Sequence, residues 1–177
     1  MHKALLLFIT FSLSSCQLSR KNDIKKIVDE WQGKVIIIPS EPEYKTLGRD
    51  TLCPGLWDQP YKVFTYIDSI GCTGCQLGLY DWKALIDSCS RQQINIGFIF
   101  VVHSSNFRQF TGDVRFEEFD YPIIYDYHNR FHKLNHFPPV PYRTFLLNKD
   151  NRVQVIGSPI NNPKMWELYK TVITRTE

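Results

Sequence analysis

The stretch from Lys62 to Cys89, KVFTYIDSIGCTGCQLGLYDWKALIDSC, most narrows what this chain can fold into. Val63, Phe64, Tyr66 and Ile67 are apolar, aromatic or β-branched, and Thr65 also suits a strand. Ser69 and Gly71 end that strand. Leu79, Trp82, Leu85, Ile86 and Cys89 then recur at the i, i+3, i+4, i+7 spacing of one helix face, with Lys83 and Asp87 on other faces. A strand thus runs into Cys72-Thr73-Gly74-Cys75 and straight on into a helix.

That spacing has a chemical reason. Two thiols separated by two residues can close a small disulfide ring in the first turn of a helix. At a helix start, unpaired backbone N–H groups and the positive end of the macrodipole stabilise a thiolate. Cys72 stands there, so it is the expected nucleophile of disulfide exchange. Cys75, one turn further in, is placed to attack the mixed disulfide and release the product. Thr73 and Gly74 are small and uncharged and let another protein approach closely. A structural disulfide would use the same residues without turnover, and two cysteines can also fall at this spacing by chance. A zinc site needs four ligands, and no second close Cys/Cys or Cys/His pair is present, so no metal is expected. The strand–CxxC–helix context favours redox chemistry.

The chain opens MHKALLLFITFSLSSC. His2 and Lys3 precede an apolar run, Ala4 to Leu13, that is shorter than the ~20 residues needed to span a bilayer but has the length of a signal-peptide core. It ends in Leu13-Ser14-Ser15-Cys16, which resembles the lipobox of bacterial lipoproteins. That resemblance implies cleavage before Cys16 and lipid on its thiol. An ordinary signal peptide with an incidental cysteine is the other reading. The expected division is a signal peptide over 1–15, a tether over 16–22 and a folded domain over 23–177. The tether lacks the acidic run that resembles a surface-export signal, so the domain is expected to face the periplasm. Disulfides persist in that compartment. Cys53 and Cys89 can there pair with each other or stay as buried small hydrophobes. The net charge of +3 gives no electrostatic case for nucleic acid, and the 14% aromatic share predicts a well-filled core.

Along the rest of the chain, Asp23 to Trp31 reads as a helix stopped by Gly33, and Val35 to Ile38 as a short strand ended by Pro39. A short pairing strand is expected around Thr51. Ile94 to Val102 is a near-continuous apolar run that suits a strand buried on both faces. Ser104 or Ser105 is the expected cap of a helix running to about Phe119. A strand over Tyr121 to Tyr125 and a helix over Asn129 to Phe137 follow. Tyr142 to Leu147 and Val153 to Ile156 form a hairpin across Lys149-Asp150-Asn151-Arg152. Asn161-Asn162-Pro163 opens a last helix with Met165, Leu168, Tyr169, Val172 and Ile173 on its apolar face.

This order, with CxxC at the first β-to-α junction, resembles the thioredoxin superfamily. It is most similar to the envelope thioredoxin-like proteins of the ResA/TlpA and redoxin groups. GCTGC, FLLNKDNRV and GSPINNPK also look like thioredoxin-like lipoproteins of Bacteroidota. The resemblance covers Asp23 to the C-terminus and implies a three-layer α/β/α sandwich with a mixed central sheet and an N-terminal extension. It departs from the family in having Gly71 where Trp is usual, and Gly74 and Gln76 where Pro is frequent. The family's cis-proline before the penultimate strand matches Pro141, although counting back from Phe145 the usual position falls on Tyr142.

The function so implied is a membrane-anchored, periplasmic thiol–disulfide oxidoreductase. Cys72 attacks, Cys75 resolves, and Pro141 or Tyr142 docks the partner chain. Family analogy favours reduction of protein disulfides, with envelope protein thiols and disulfides as partners, and no cofactor. Asp68 can take a proton from Cys75, or serve as a turn residue. His103 can do acid–base or metal work, or be a loop histidine. His128, His132 and His136 recur at i, i+4, i+8, a spacing for metal or for a solvated helix face. A thiol peroxidase of the redoxin type is an alternative, although its Pro and Thr pattern is missing before Cys72. A thioredoxin-fold binding lipoprotein with a structural disulfide is the non-enzymatic one.

Overall fold

Two parallel strands with alternating, fully buried side chains organise the molecule. β3 (Tyr61–Asp68) and β4 (Gly97–His103) pair from Lys62↔Gly97 to Asp68↔His103. Val63, Phe98, Phe100 and Val102 point to one side of the sheet, and Phe64, Tyr66, Ile99 and Val101 to the other. All are buried, so both faces need a helical cover. The computed structural model describes residues 22–68 and 78–175. The expectations about the signal peptide, Cys16 and the tether up to residue 21, and those about Cys72 and Cys75, lie outside the described residues.

Around this pair the sheet grows in both directions. β5 (Ile123–Tyr125) is parallel to β4, while β6 (Thr144–Asn148) is antiparallel to β3 and β7 (Val153–Ile156) antiparallel to β6. On the other side, β1 (Tyr44–Thr46) and β2 (Arg49–Asp50) form a hairpin whose β1 pairs antiparallel with β5. The order is β2-β1-β5-β4-β3-β6-β7, a mixed sheet. One face is covered by α2 (Leu79–Arg91), α3 (Phe107–Phe116) and α5 (Pro163–Thr174), which bury Leu79, Trp82, Cys89, Phe110, Val114, Tyr169 and Ile173. The other face carries α1 (22–31) and α4 (Arg130–Asn135), which bury Trp31 and Phe131 beside Ile36 and Phe137. This is the expected three-layer sandwich with its N-terminal extension. Trp31 fixes that extension by stacking on Phe145 at 5.1 Å and Phe137 at 5.8 Å, with Lys34 Nζ 3.9 Å over its ring.

Several expected elements change shape for identifiable reasons. The segment 35–38 is not a strand. Val35 makes a single antiparallel bridge to Arg152, and the Gly33 N–H and Lys34 carbonyl exchange bonds with Val153 at 2.9 Å each. Gln32 Nε2 adds a bond to the Gln154 carbonyl at 3.0 Å. Ile37 then turns to a side chain: its N–H donates to Asn135 Oδ1 (2.7 Å), and Asn135 Nδ2 donates back to its carbonyl (2.9 Å). The pairing strand expected around Thr51 ends one residue earlier, in a hairpin turned by Leu47 and Gly48, both with positive φ.

Asn106, not Ser104 or Ser105, caps α3; its Oδ1 accepts from the Gln109 N–H at 3.0 Å, and Ser104 Oγ accepts from the Asn106 N–H at 3.1 Å. The helix stops at Phe116, not Phe119, because Glu118 turns left-handed. β4 starts at Gly97, after Ile94 has closed α2 with a 3.0 Å bond to the Cys89 carbonyl. β5 starts at Ile123 rather than Tyr121 and β6 at Thr144 rather than Tyr142. α4 is bounded by Asn129 and His136, both left-handed, and so is shorter than 129–137.

Candidate functional site

The C-terminal end of β3, the start of α2 and the two loops flanking the β6–β7 hairpin enclose a cleft of about 700 Å³. Parallel strands direct their C-terminal ends and the following helix starts to one side, which is where such sheets carry their sites. Asp68, the last residue of β3, and Gly78, the residue before α2, both line the cleft. The segment 69–77, which contains Cys72 and Cys75, connects them. The described part of the helix expected after the cysteine pair is α2, from Leu79, and its expected start at Cys72–Cys75 lies outside the described residues. Gly78 has φ 60° and ψ 51°, a left-handed conformation that cannot continue a helix, and its carbonyl accepts the Trp82 N–H at 3.1 Å.

Pro141 lines the same cleft, and the Val140–Pro141 peptide bond is cis. Tyr142 is half-buried, donates its N–H to the Pro139 carbonyl at 3.0 Å, and does not line the cleft. The floor is Thr65 and Thr144, whose hydroxyls lie 2.6 Å apart across the β3–β6 pair, with Tyr66 beside them. Trp82 forms the α2 wall and is held edge-on by Phe100 at 5.2 Å. On the far rim Asn161 Nδ2 donates to Asp81 Oδ2 at 3.1 Å, which ties the loop after β7 to the first turn of α2.

Asp68 is not in a turn. It is the paired end of β3, and Oδ2 stands 3.5 Å from Arg143 Nη1. Arg143 also donates Nε–H to the Pro138 carbonyl at 2.7 Å, and its guanidinium lies 5.7 Å over the Tyr66 ring. Sequence reading misses Arg143 because its role depends on Asp68 and Tyr66, both more than 70 residues away in the chain. The Tyr66 O–H donates a hydrogen bond to Asn129 Oδ1 at 2.6 Å, and its ring stacks on Phe137 and His132. Burial, reinforced by the Asp68 and Asp126 charges, raises its phenol well above the usual range.

His128, His132 and His136 do not share a helix face, although the His132 and His136 rings lie 6.5 Å apart. His103 is the last residue of β4 and donates Nδ1–H to the Asp126 carbonyl at 2.8 Å. His128 and His136 lie outside α4 and are exposed, so only His132 is helical. Its imidazole is held below the usual range first by burial and then by Arg143. Among the described residues no group of three or more His, Cys, Asp or Glu can hold a metal ion. Cys53 and Cys89 are both free thiols, each with its pKa raised by burial.

No family model matches the sequence, and neither does any curated protein. Many solved structures share its backbone course. A thioredoxin-like protein solved in its oxidised form superposes with TM-score 0.58 at 12% identity, over 82% of this chain and 98% of that one. The thioredoxin domain of a thiol–disulfide oxidoreductase from Bacteroides vulgatus gives 0.54 at 9% identity, over 78% and 97%. The fold is thioredoxin-like. A cysteine-to-serine variant of PrxQ from Xylella fastidiosa gives 0.56 at 13% identity, over 82% and 97%, which puts a redoxin among the likenesses. Within this thioredoxin-like fold, the cleft brings together Asp68, Gly78 and Pro141, three points that the sequence spreads over some 75 residues.

Proposed function

We propose that the chain is a thiol–disulfide oxidoreductase that acts on protein disulfides through Cys72 and Cys75, held at the periplasmic face of a membrane by lipid on Cys16. The observation that carries this reading is that Asp68 and Gly78, the two ends of the segment containing the cysteine pair, line one cleft with Pro141. The thioredoxin-like fold and its solved likenesses among thiol–disulfide oxidoreductases support it.

In reduction, the Cys72 thiolate attacks one sulfur of the substrate disulfide. A mixed disulfide forms and the first substrate thiolate leaves. Asp68 takes the proton of Cys75, whose thiolate attacks Cys72 Sγ. The Cys72–Cys75 disulfide closes and the second substrate thiolate leaves with a proton. Two electrons have passed to the substrate, and an external dithiol must return them to the pair. The partner chain lies along Pro141 while this happens, with the Tyr142 turn behind it.

The test uses full-length protein in detergent with insulin as the disulfide substrate. Wild type is expected to reduce insulin with a dithiol donor, and Cys72→Ser to lose that activity. Cys75→Ser is expected to accumulate mixed disulfides on Cys72, seen on non-reducing gels after an acid quench. Equal, slow alkylation of the two thiols with no trapped partner would make the pair a structural clip. Peroxide consumption without insulin reduction would move the assignment to a redoxin-type peroxidase.

A further inference from the structure

Arg143 touches two parts of the cleft that the chain separates by about 70 residues. Its Nε–H donates to the Pro138 carbonyl at 2.7 Å, and that carbonyl belongs to the loop carrying Val140 and Pro141. Its Nη1 lies 3.5 Å from Asp68 Oδ2, at the point where β3 passes into the cysteine-bearing segment. The stem rests where its guanidinium covers Tyr66 at 5.7 Å, and Tyr66 is in turn clamped between Phe137, His132 and Asn129. The backbone joins in as well: the Tyr66 N–H donates to the Arg143 carbonyl at 3.0 Å. A planar fork with separate donors suits this double contact, and a lysine cannot make both at once. Arg143 itself is mostly covered, with 17% of its side chain exposed, so neither contact is a loose surface pair.

We propose that Arg143 is a positioning residue of the disulfide-exchange site, holding the docking loop through Pro138 and the Asp68 carboxylate through an ion pair. It rests on the oxidoreductase reading above. Through the loop bond it fixes where the partner chain lies. Through the ion pair it offsets the negative charge that Asp68 would otherwise present to the thiols. The other titratable groups around the pair are Tyr66 on β3, His103 at the end of β4, Asp126 after β5, His132 and His136 at α4, and Asp81 across the cleft.

The test compares Arg143→Gln, Arg143→Lys, Asp68→Asn and the Arg143→Gln/Asp68→Asn double variant in the full-length chain. Two readings are taken. The first is KM and kcat for insulin reduction. The second is the pH profile of Cys72 and Cys75 alkylation in the reduced protein, followed by mass spectrometry, which does not depend on turnover. Arg143→Gln is expected to raise KM roughly tenfold, the loss expected for one charge-assisted hydrogen bond, and to move the thiol profile to higher pH. Arg143→Lys is expected to raise KM but keep the pH profile, because the cation stays and the fork is lost. Asp68→Asn should move the profile to lower pH, and the double variant should bring it back toward wild type. An unchanged KM and unchanged profile in Arg143→Gln would overturn the proposal. A profile shift that the double variant does not cancel would overturn the ion-pair half of it. If wild type does not reduce insulin at all, the oxidoreductase reading fails, and the alkylation profiles still decide whether Arg143 and Asp68 act as a pair.

Discussion

Cys89 sits on the buried face of α2, and burial pushes its thiol up to about 11. Cys53 stands half-buried in the loop before the short 3-10 turn at Leu56–Asp58, and burial raises its thiol too. A thiol attacks as its thiolate, so burial disfavours both as nucleophiles, Cys89 more strongly. Replacing both with Ala is therefore expected to leave insulin reduction within a few fold of wild type. Iodoacetamide at pH 8 should leave Cys89 unlabelled in the native reduced protein. Labelling of Cys89 as fast as Cys72, or a loss of activity like that of Cys72→Ser, would bring one of them into the mechanism. Sequence left their pairing open because it lists cysteines without distances. The cis bond at Pro141 was legible from the family resemblance, which places a cis-proline before this strand, although the usual spacing pointed to Tyr142. Arg143 was not, because an arginine in a strand start carries no signal until Asp68 and Pro138 are seen around it.

Elements with a strong period were readable and elements defined by side-chain bonds were not. The face of α2 and the two-sided burial of β4 follow from apolar spacing alone. The segment 35–38 has the composition of a strand, yet Asn135 takes the place of a neighbouring backbone by bonding both the N–H and the carbonyl of Ile37. Asn135 is 3% exposed and also bonds the Phe131 carbonyl within α4 at 2.9 Å, so it joins that helix to the N-terminal extension. Asn135→Ala should cost more than a cap: about 1–3 kcal/mol for each polar group left buried without a partner, against ~1 kcal/mol for the cap lost in Asn106→Ala. Urea unfolding of the two variants compares them directly. A midpoint for Asn135→Ala at or above that of Asn106→Ala would show that water replaces the Asn135 bonds without penalty.

At the scale of the whole molecule, the order of strands and helices from β3 onward was legible, and the resemblance it carried implied the mixed sheet; β1 went unread, and 35–38 was read as a strand instead. The cleft was legible only in part: β–CxxC–α order places the cysteines at a strand's C-terminal end, but the opposing wall comes from loops after α4 and β7. Anchoring belongs to this scale too. None of the described helices is long and apolar enough to cross a membrane. Under the proposed reading the lipid on Cys16 holds the protein. Cys16→Ser is expected to move it from the membrane fraction to the soluble one. A mutant that still sediments, with a wild type carrying no lipid by mass, would remove the anchor from the model. The covering of β7 by residues 33–35 has a further consequence. At one side of the sheet the outer strand is β7, four residues long, with Val153 already bonded to residues 33 and 34, and at the other the strand is β2, two residues long and charged. Neither side offers a foreign strand a long, free ladder to zip onto. Copies crowded together should stay individually folded rather than fuse into amyloid-like stacks.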